Sequence, residues 1–270
     1  MFGIIDGIIS ADAVKPADER PQVSLFTRPR RFGKTLNMDM LRVFFERSEE
    51  DTSVYFRDKK IWECGKEYQE YQGKYPVIYV TFKDVKCEDW ENAYDLIYKI
   101  LRNEFERHSE LLTSDKISPY DKQYLTSMLS GEANENDVAC AFLNLSRLLH
   151  IHYGVAPMII IDEYDTPIQQ GYIRGYYDKV INFMRTLFSG GLKDNPHLYY
   201  GFLTGILIEL KAGKDCTKEQ LDELTVTALK QINDRQYHVE MGSQGVKEIL
   251  QYGIAFSGKS ASIKAEVKKF

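Results

Sequence analysis

The sequence predicts an α/β fold: a mostly parallel sheet flanked by helices. Three observations carry the prediction. Short β-branched or aromatic runs alternate with helical stripes through the first two hundred residues, the order that builds strand–helix–strand units. The run Ala156-Pro-Met-Ile-Ile-Ile161 has no polar alternation, as a central strand covered on both faces requires. Near the start, a short apolar run at Val23 to Phe26 passes through a loop into an amphipathic helix, giving a strand–loop–helix unit.

In order along the chain, Val23-Ser-Leu-Phe26 reads as a buried strand that meets a basic loop. Leu36, Met40, Val43 and Phe44 then fall at i, i+4, i+7 and i+8, the stripe of an amphipathic helix. Pro76 to Phe82 is a second strand, and Tyr94, Ile97, Tyr98, Leu101 and Phe105 mark the helix after it. A further helix is expected from about Asn136 to His152, ahead of the strand ending at Ile161. An aromatic-rich helix follows, from about Tyr176 to Phe188, with Gly190-Gly191 as its stop and Tyr199 to Thr204 as the next strand.

The stretch Gly201 to Leu210 is almost unbroken apolar, too long for an ordinary strand and without a polar linker. A junction is therefore expected near Gly205-Ile206, dividing the chain into 1–205 and 206–270. Beyond it the pattern gives a helix through Leu221, Leu224, Ala228 and Ile232, a shorter helix around Val246 to Leu250, and a last strand, Gly253 to Phe256.

Composition limits the function classes. Apolar residues make up 43% and charged residues 28%, with 18 Tyr and 14 Phe, so the chain is globular rather than disordered. Its formal net charge of −5 provides no global attraction to nucleic acid or anionic lipid, leaving only local patches for either. Cys64, Cys87, Cys140 and Cys216 are far apart and form no CxxC pair, which argues against a zinc ribbon and reads as reduced, mostly buried thiols. No run reaches the length of a membrane helix, and Met-Phe-Gly-Ile-Ile-Asp6 resembles no secretion signal. A cytoplasmic location is the expectation.

The chemistry concentrates in two places. A phosphate-cradling loop needs inward backbone N–H groups, a Gly where the chain passes the anion, a Lys for the β and γ phosphates and a hydroxyl for magnesium. Arg28-Pro-Arg-Arg-Phe-Gly-Lys-Thr35 supplies Gly33, Lys34 and Thr35, flanked by Arg30, Arg31 and Phe32, between a strand and a helix. Arg28 stands where the usual pattern has its first Gly. A literal match occurs elsewhere, Gly253-Ile-Ala-Phe-Ser-Gly-Lys-Ser260, but only ten residues follow it, too few for a helix and a later acidic strand. The second place is Asp162-Glu163, at the end of the most apolar strand. In P-loop ATPases an Asp so placed holds the metal and the adjacent Glu polarises the attacking water. The bland alternative is a basic surface turn and a strand that ends in a polar pair; a small nucleic-acid patch at Arg28, Arg30 and Arg31 is a third reading. His150 and His152 read as solvated polar positions rather than metal ligands, no third ligand being near.

With these residues in view, the chain resembles the AAA-ATPase-like family of bacterial proteins that carry a PD-(D/E)xK nuclease-like domain at their C-terminus. The likeness rests on Leu25 to Met38, on Ile160-Ile-Asp-Glu-Tyr-Asp-Thr-Pro-Ile168, and on Leu192-Lys-Asp-Asn195 leading to Leu203-Thr-Gly205. It implies ATP and Mg²⁺ as cofactors and accounts for Arg28. It also implies a nucleotide-sensing place for Thr204 and a supporting role for Asp165, against their plainer readings as strand residue and helix cap. The tail resembles the end of the nuclease-like domain, through Ile208-Glu-Leu-Lys-Ala212, Gln231, Tyr237 and Tyr252 to Lys259. There Glu209 and Lys211 would share one strand face, the carboxylate for metal and the ammonium for water.

The family has a long stretch between the Thr-Gly strand and the nuclease end, including the ATPase lid and a first metal-binding Asp, and here the two ends abut. The resemblance therefore implies a weak or binding-only ATPase with an inactive nuclease remnant that could still touch nucleic acid. A metal-dependent nuclease using Glu209 and Lys211, and a silent interaction module, are the alternatives. Oligomeric state is not specified by the sequence.

Overall fold

In the computed structural model the described residues are 23–27, 34–193, 195–205, 208–212, 217–234, 248–257 and 260–269. The chain divides into two compact units, Met1–Gly205 and Ile206–Phe270.

The first unit is built on four parallel strands: β1 (Val23–Thr27), β2 (Val77–Thr81), β3 (Met158–Asp162) and β4 (Tyr200–Gly205). Their order is β1-β4-β3-β2, so the last of the four strands is inserted between the first and the third. Register aligns the four C-terminal ends. Thr27 pairs with Gly205, Thr81 with Asp162, and Ile161 with Leu203.

Strand alternation sends successive side chains to two separate cores. Ile78, Val80, Phe82, Ile159, Ile161 and Leu203 face a large cluster. Much of its apolar surface comes from helices α4 (Trp90–Arg107), α7 (Ala141–Tyr153) and α9 (Tyr177–Leu192). Val77, Met158, Ile160, Tyr200 and Phe202 face a smaller cluster with Met38, Leu41, Phe44 and Phe45 of α1 (Lys34–Phe45). The short helices α2 (Lys60–Glu63) and α3 (Lys66–Gln69) add Ile61 and Tyr68 to it. Ile159, Ile160 and Ile161 are all fully buried, which explains why this strand reads as an unbroken apolar run. Each such side chain contributes about 1.5–3 kcal/mol on transfer from water.

Helix ends follow local chemistry. Asp89 caps α4 by accepting from the Asn92 N–H, and Ser118 does the same from Asp121 at α5 (Pro119–Ser130), which ends on left-handed Gly131. The helix expected over 136–152 is two, α6 (Glu135–Ala139) and α7, divided at Cys140. The expected stop at Gly190-Gly191 is not one. After α8 (Thr166–Arg174), α9 runs on to Leu192, and a Cβ on Gly191 would lie 2.5 Å from the Phe142 Cβ. That glycine lets α9 approach α7 closely and does not end the helix. The described cysteines are less buried than expected, Cys64 being exposed and Cys87 and Cys140 intermediate.

In the second unit β5 (Ile208–Ala212) pairs in parallel with β6 (Glu248–Ser257), and β6 pairs antiparallel with β7 (Ser260–Lys269). Helix α10 (Lys218–Asp234) buries Leu221, Thr225, Ala228 and Leu229 along one stripe. The short helix expected around 246–250 is overturned for Glu248 to Leu250, which open β6 and pair with Val267 to Lys269. A ten-residue partner strand outweighs the weak helical pattern there. Tyr237, Val246, Gly258 and Lys259 lie outside the described residues. Among the described residues no helix is long and apolar enough to cross a membrane.

Candidate nucleotide and metal site

Alternation fixes what meets at the C-terminal edge of the first sheet. The rows Val77-Tyr79-Thr81, Met158-Ile160-Asp162 and Tyr200-Phe202-Thr204 all run along the face that α1 covers. The last member of each row is polar, and the three converge. Asp162 accepts from the Thr204 hydroxyl at 2.5 Å, from Thr35 at 2.7 Å and from Thr81 at 3.3 Å. Thr35 opens the first turn of α1, 127 residues away in sequence.

Asp162 and Thr204 are both 0% exposed. A buried carboxylate is costly unless hydrogen-bonded, and here hydroxyls do the bonding. Among the described residues no cationic side chain pairs with Asp162. No cluster of three His, Cys, Asp or Glu able to hold a metal occurs among them either. One carboxylate beside a threonine hydroxyl is the oxygen-donor set of a magnesium bound chiefly through phosphate and water, rather than in an all-protein cage. The N-terminus of the 12-residue α1 adds N–H groups and a positive dipole end for an anion. The residues present fit both groups.

Glu163 has a left-handed backbone, φ +53°, unlike any other described residue except glycines. Its N–H donates to the Thr204 hydroxyl at 3.1 Å, and Tyr164 N–H donates to the Thr204 carbonyl at 3.0 Å. Its carboxylate accepts from the Thr166 hydroxyl at 3.2 Å. Thr204, assigned by resemblance to nucleotide contact, thus turns its hydroxyl to Asp162 and to the Glu163 amide. Asp165 occupies the N-cap position of α8 without capping it by side chain; its carboxylate accepts from Gln169. Arg28, Arg30, Arg31, Phe32 and Gly33 lie outside the described residues, as does the side chain of Lys34, which begins α1.

Thr81 carries no motif that marks it, and Thr166 lies within the run Ile160 to Ile168 with no role assigned to it there. Asn37, within the run Leu25 to Met38, is buried in α1, and its Oδ1 has no hydrogen-bond partner among the described residues. Of the histidines, His150 Nδ1 lies 3.1 Å from His197 Nδ1 and His152 meets Ser114, so both are engaged rather than merely solvated.

A parallel sheet with helices on both faces, and a helix N-terminus meeting a strand-end carboxylate, define a P-loop NTPase-like α/β protein. The chain belongs to the family described as predicted AAA-ATPase, whose model matches residues 14–213. Nucleotide binding is what that membership implies. The chain is also 26% identical over 204 residues to an uncharacterized protein in the vnfD 5' region of Azotobacter chroococcum mcd 1. That match spans 74% of this chain and 33% of the relative, so the chain covers about a third of that protein's length. No solved structure matches the chain.

Proposed function

We propose that the first unit binds ATP with Mg²⁺ and hydrolyses it slowly. The single observation that supports this most is the 2.7 Å hydrogen bond from the Thr35 hydroxyl to Asp162. In this reading Gly33, Arg30, Arg31, Phe32 and the backbone at the start of α1 cradle the phosphates, and Lys34 neutralises the β and γ groups. Thr35 and Asp162 hold the metal, which when bound withdraws charge from the phosphate oxygens. Glu163 takes the proton from a water whose oxygen attacks the γ-phosphorus as the bond to the bridging oxygen breaks, leaving ADP and phosphate. Turnover is slow because the family's lid, which excludes water and supplies an arginine, has no counterpart between Gly205 and Ile206.

Nucleotide-induced thermal stabilisation tests the site. Wild-type protein should melt higher with ATP and Mg²⁺, and Lys34→Ala should abolish the increment; an unchanged increment rejects the site.

The second unit is proposed as an inactive nuclease-like remnant. Glu209 and Lys211 stand two apart on β5, opposite Gly253 and Ala255, the spacing of positions on one strand face. Plasmid incubated with the protein and Mn²⁺ should stay intact. Cleavage that disappears in Glu209→Ala would make the nuclease reading the better one.

A further inference from the structure

The bend at Glu163 is held from both ends by threonines. Left-handed backbone at a non-glycine residue is sterically disfavoured, and it persists only where surroundings enforce it. Here the Thr204 hydroxyl accepts the Glu163 N–H while donating to Asp162, and its carbonyl accepts the Tyr164 N–H. At the other end Thr166 grips the carboxylate by its hydroxyl and the Glu163 carbonyl by its N–H, each at 3.2 Å. Thr204 is 0% and Thr166 9% exposed, so water competes little for either. Gly205 closes the space behind: a Cβ there would lie 2.5 Å from the Tyr164 ring and 2.6 Å from Asp165 Oδ1.

We infer that Thr204 and Thr166 are positioning residues that clamp Glu163 in its left-handed bend, fixing its carboxylate relative to Asp162. The inference deepens the hydrolase reading and rests on it for its catalytic meaning. The Thr166 bond occupies Glu163 Oε2, leaving Oε1 for a water proton. Thr204 couples the two acidic residues, because one hydroxyl serves the carboxylate of the first and the amide of the second.

A double-mutant cycle without nucleotide tests the clamp whether or not the protein turns over ATP. Thr204→Val should lower the melting temperature by about 2–4 °C, and clearly less in a Glu163→Gly background, because glycine adopts positive φ without enforcement. Equal losses in both backgrounds would overturn the clamp. On the kinetic side, Thr166→Val should lower kcat at least about tenfold with fluorescent-nucleotide affinity within twofold, and Thr166→Ser should restore it. A parallel loss of affinity, or an unchanged kcat, would refute the positioning role. Absence of hydrolysis by wild type would defeat the hydrolase reading alone, the stability cycle still deciding the clamp.

Discussion

Among the described residues the buried carboxylate of Asp162 has three threonine hydroxyls as its partners, and Glu163 follows it in the chain. Glu163→Gln should cut ATP turnover at least about a hundredfold while leaving the ATP-induced melting increment in place, measured on the same preparation. Gly205→Ala should destabilise by about 1–3 kcal/mol in chemical denaturation, because its Cβ would enter space held by Tyr164 and Asp165. Thr35 and the acidic pair were legible as candidates because their chemistry is tied to residue type and to the strand or helix beside them, and Thr35 does meet Asp162. Thr81 was not: a threonine at a strand end is also an ordinary β-former, and its partner exists only once the register places Thr81 beside Asp162. The resemblance singled out Thr204, but the direction of its hydroxyl, toward Asp162 and the Glu163 amide, was not legible.

Helix α4 fastens the outer side of β2 with charged groups. Glu104 accepts from the Tyr79 N–H at 2.8 Å, and the Val77 carbonyl accepts from Arg107 at 2.5 Å and contacts His108 Nε2 at 3.1 Å. Arg107 also pairs with Glu46, and Tyr153 donates to Glu110. Burial alone would depress His108, but hydrogen bonds to Glu104 and Glu110 override it and raise its pKa to about 9. Burial likewise opposes ionisation of Glu110, yet His108 and Tyr153 bring it down to about 2. A raised histidine stabilises the fold fully below its ordinary 6.5, and that contribution drains away as pH climbs through about 9. The melting temperature should therefore fall between pH 7 and 10, less steeply in His108→Gln. The Glu110 share is present above its ordinary 4.5 and is lost only as pH falls through about 2. Most elements of the first unit were legible from periodicity, since their apolar stripes are the core faces themselves. The glycine pair in α9 misled because a glycine that ends a helix and one that admits a neighbouring helix look alike until Phe142 is seen against Gly191.

At the scale of the whole chain, both large apolar cores are made of residues from the first unit. A chain ended at Gly205 should fold and keep its ATP-dependent melting increment; loss of the increment, with far-UV signal retained, would assign part of the nucleotide site to residues 206–270. The division near Gly205 was legible as an apolar run too long for one strand, and the chain divides there. The antiparallel β6–β7 pairing was only half legible, because Ser260 to Lys269 alternates weakly and acquires its strand character from its partner. The side chains of α4 against β2 also bear on assembly. A foreign peptide seeking to lengthen the sheet there would find the Val77 carbonyl and the Tyr79 amide already taken, so strand-by-strand polymerisation is blocked on that flank by ionic caps rather than by a proline or a bulge.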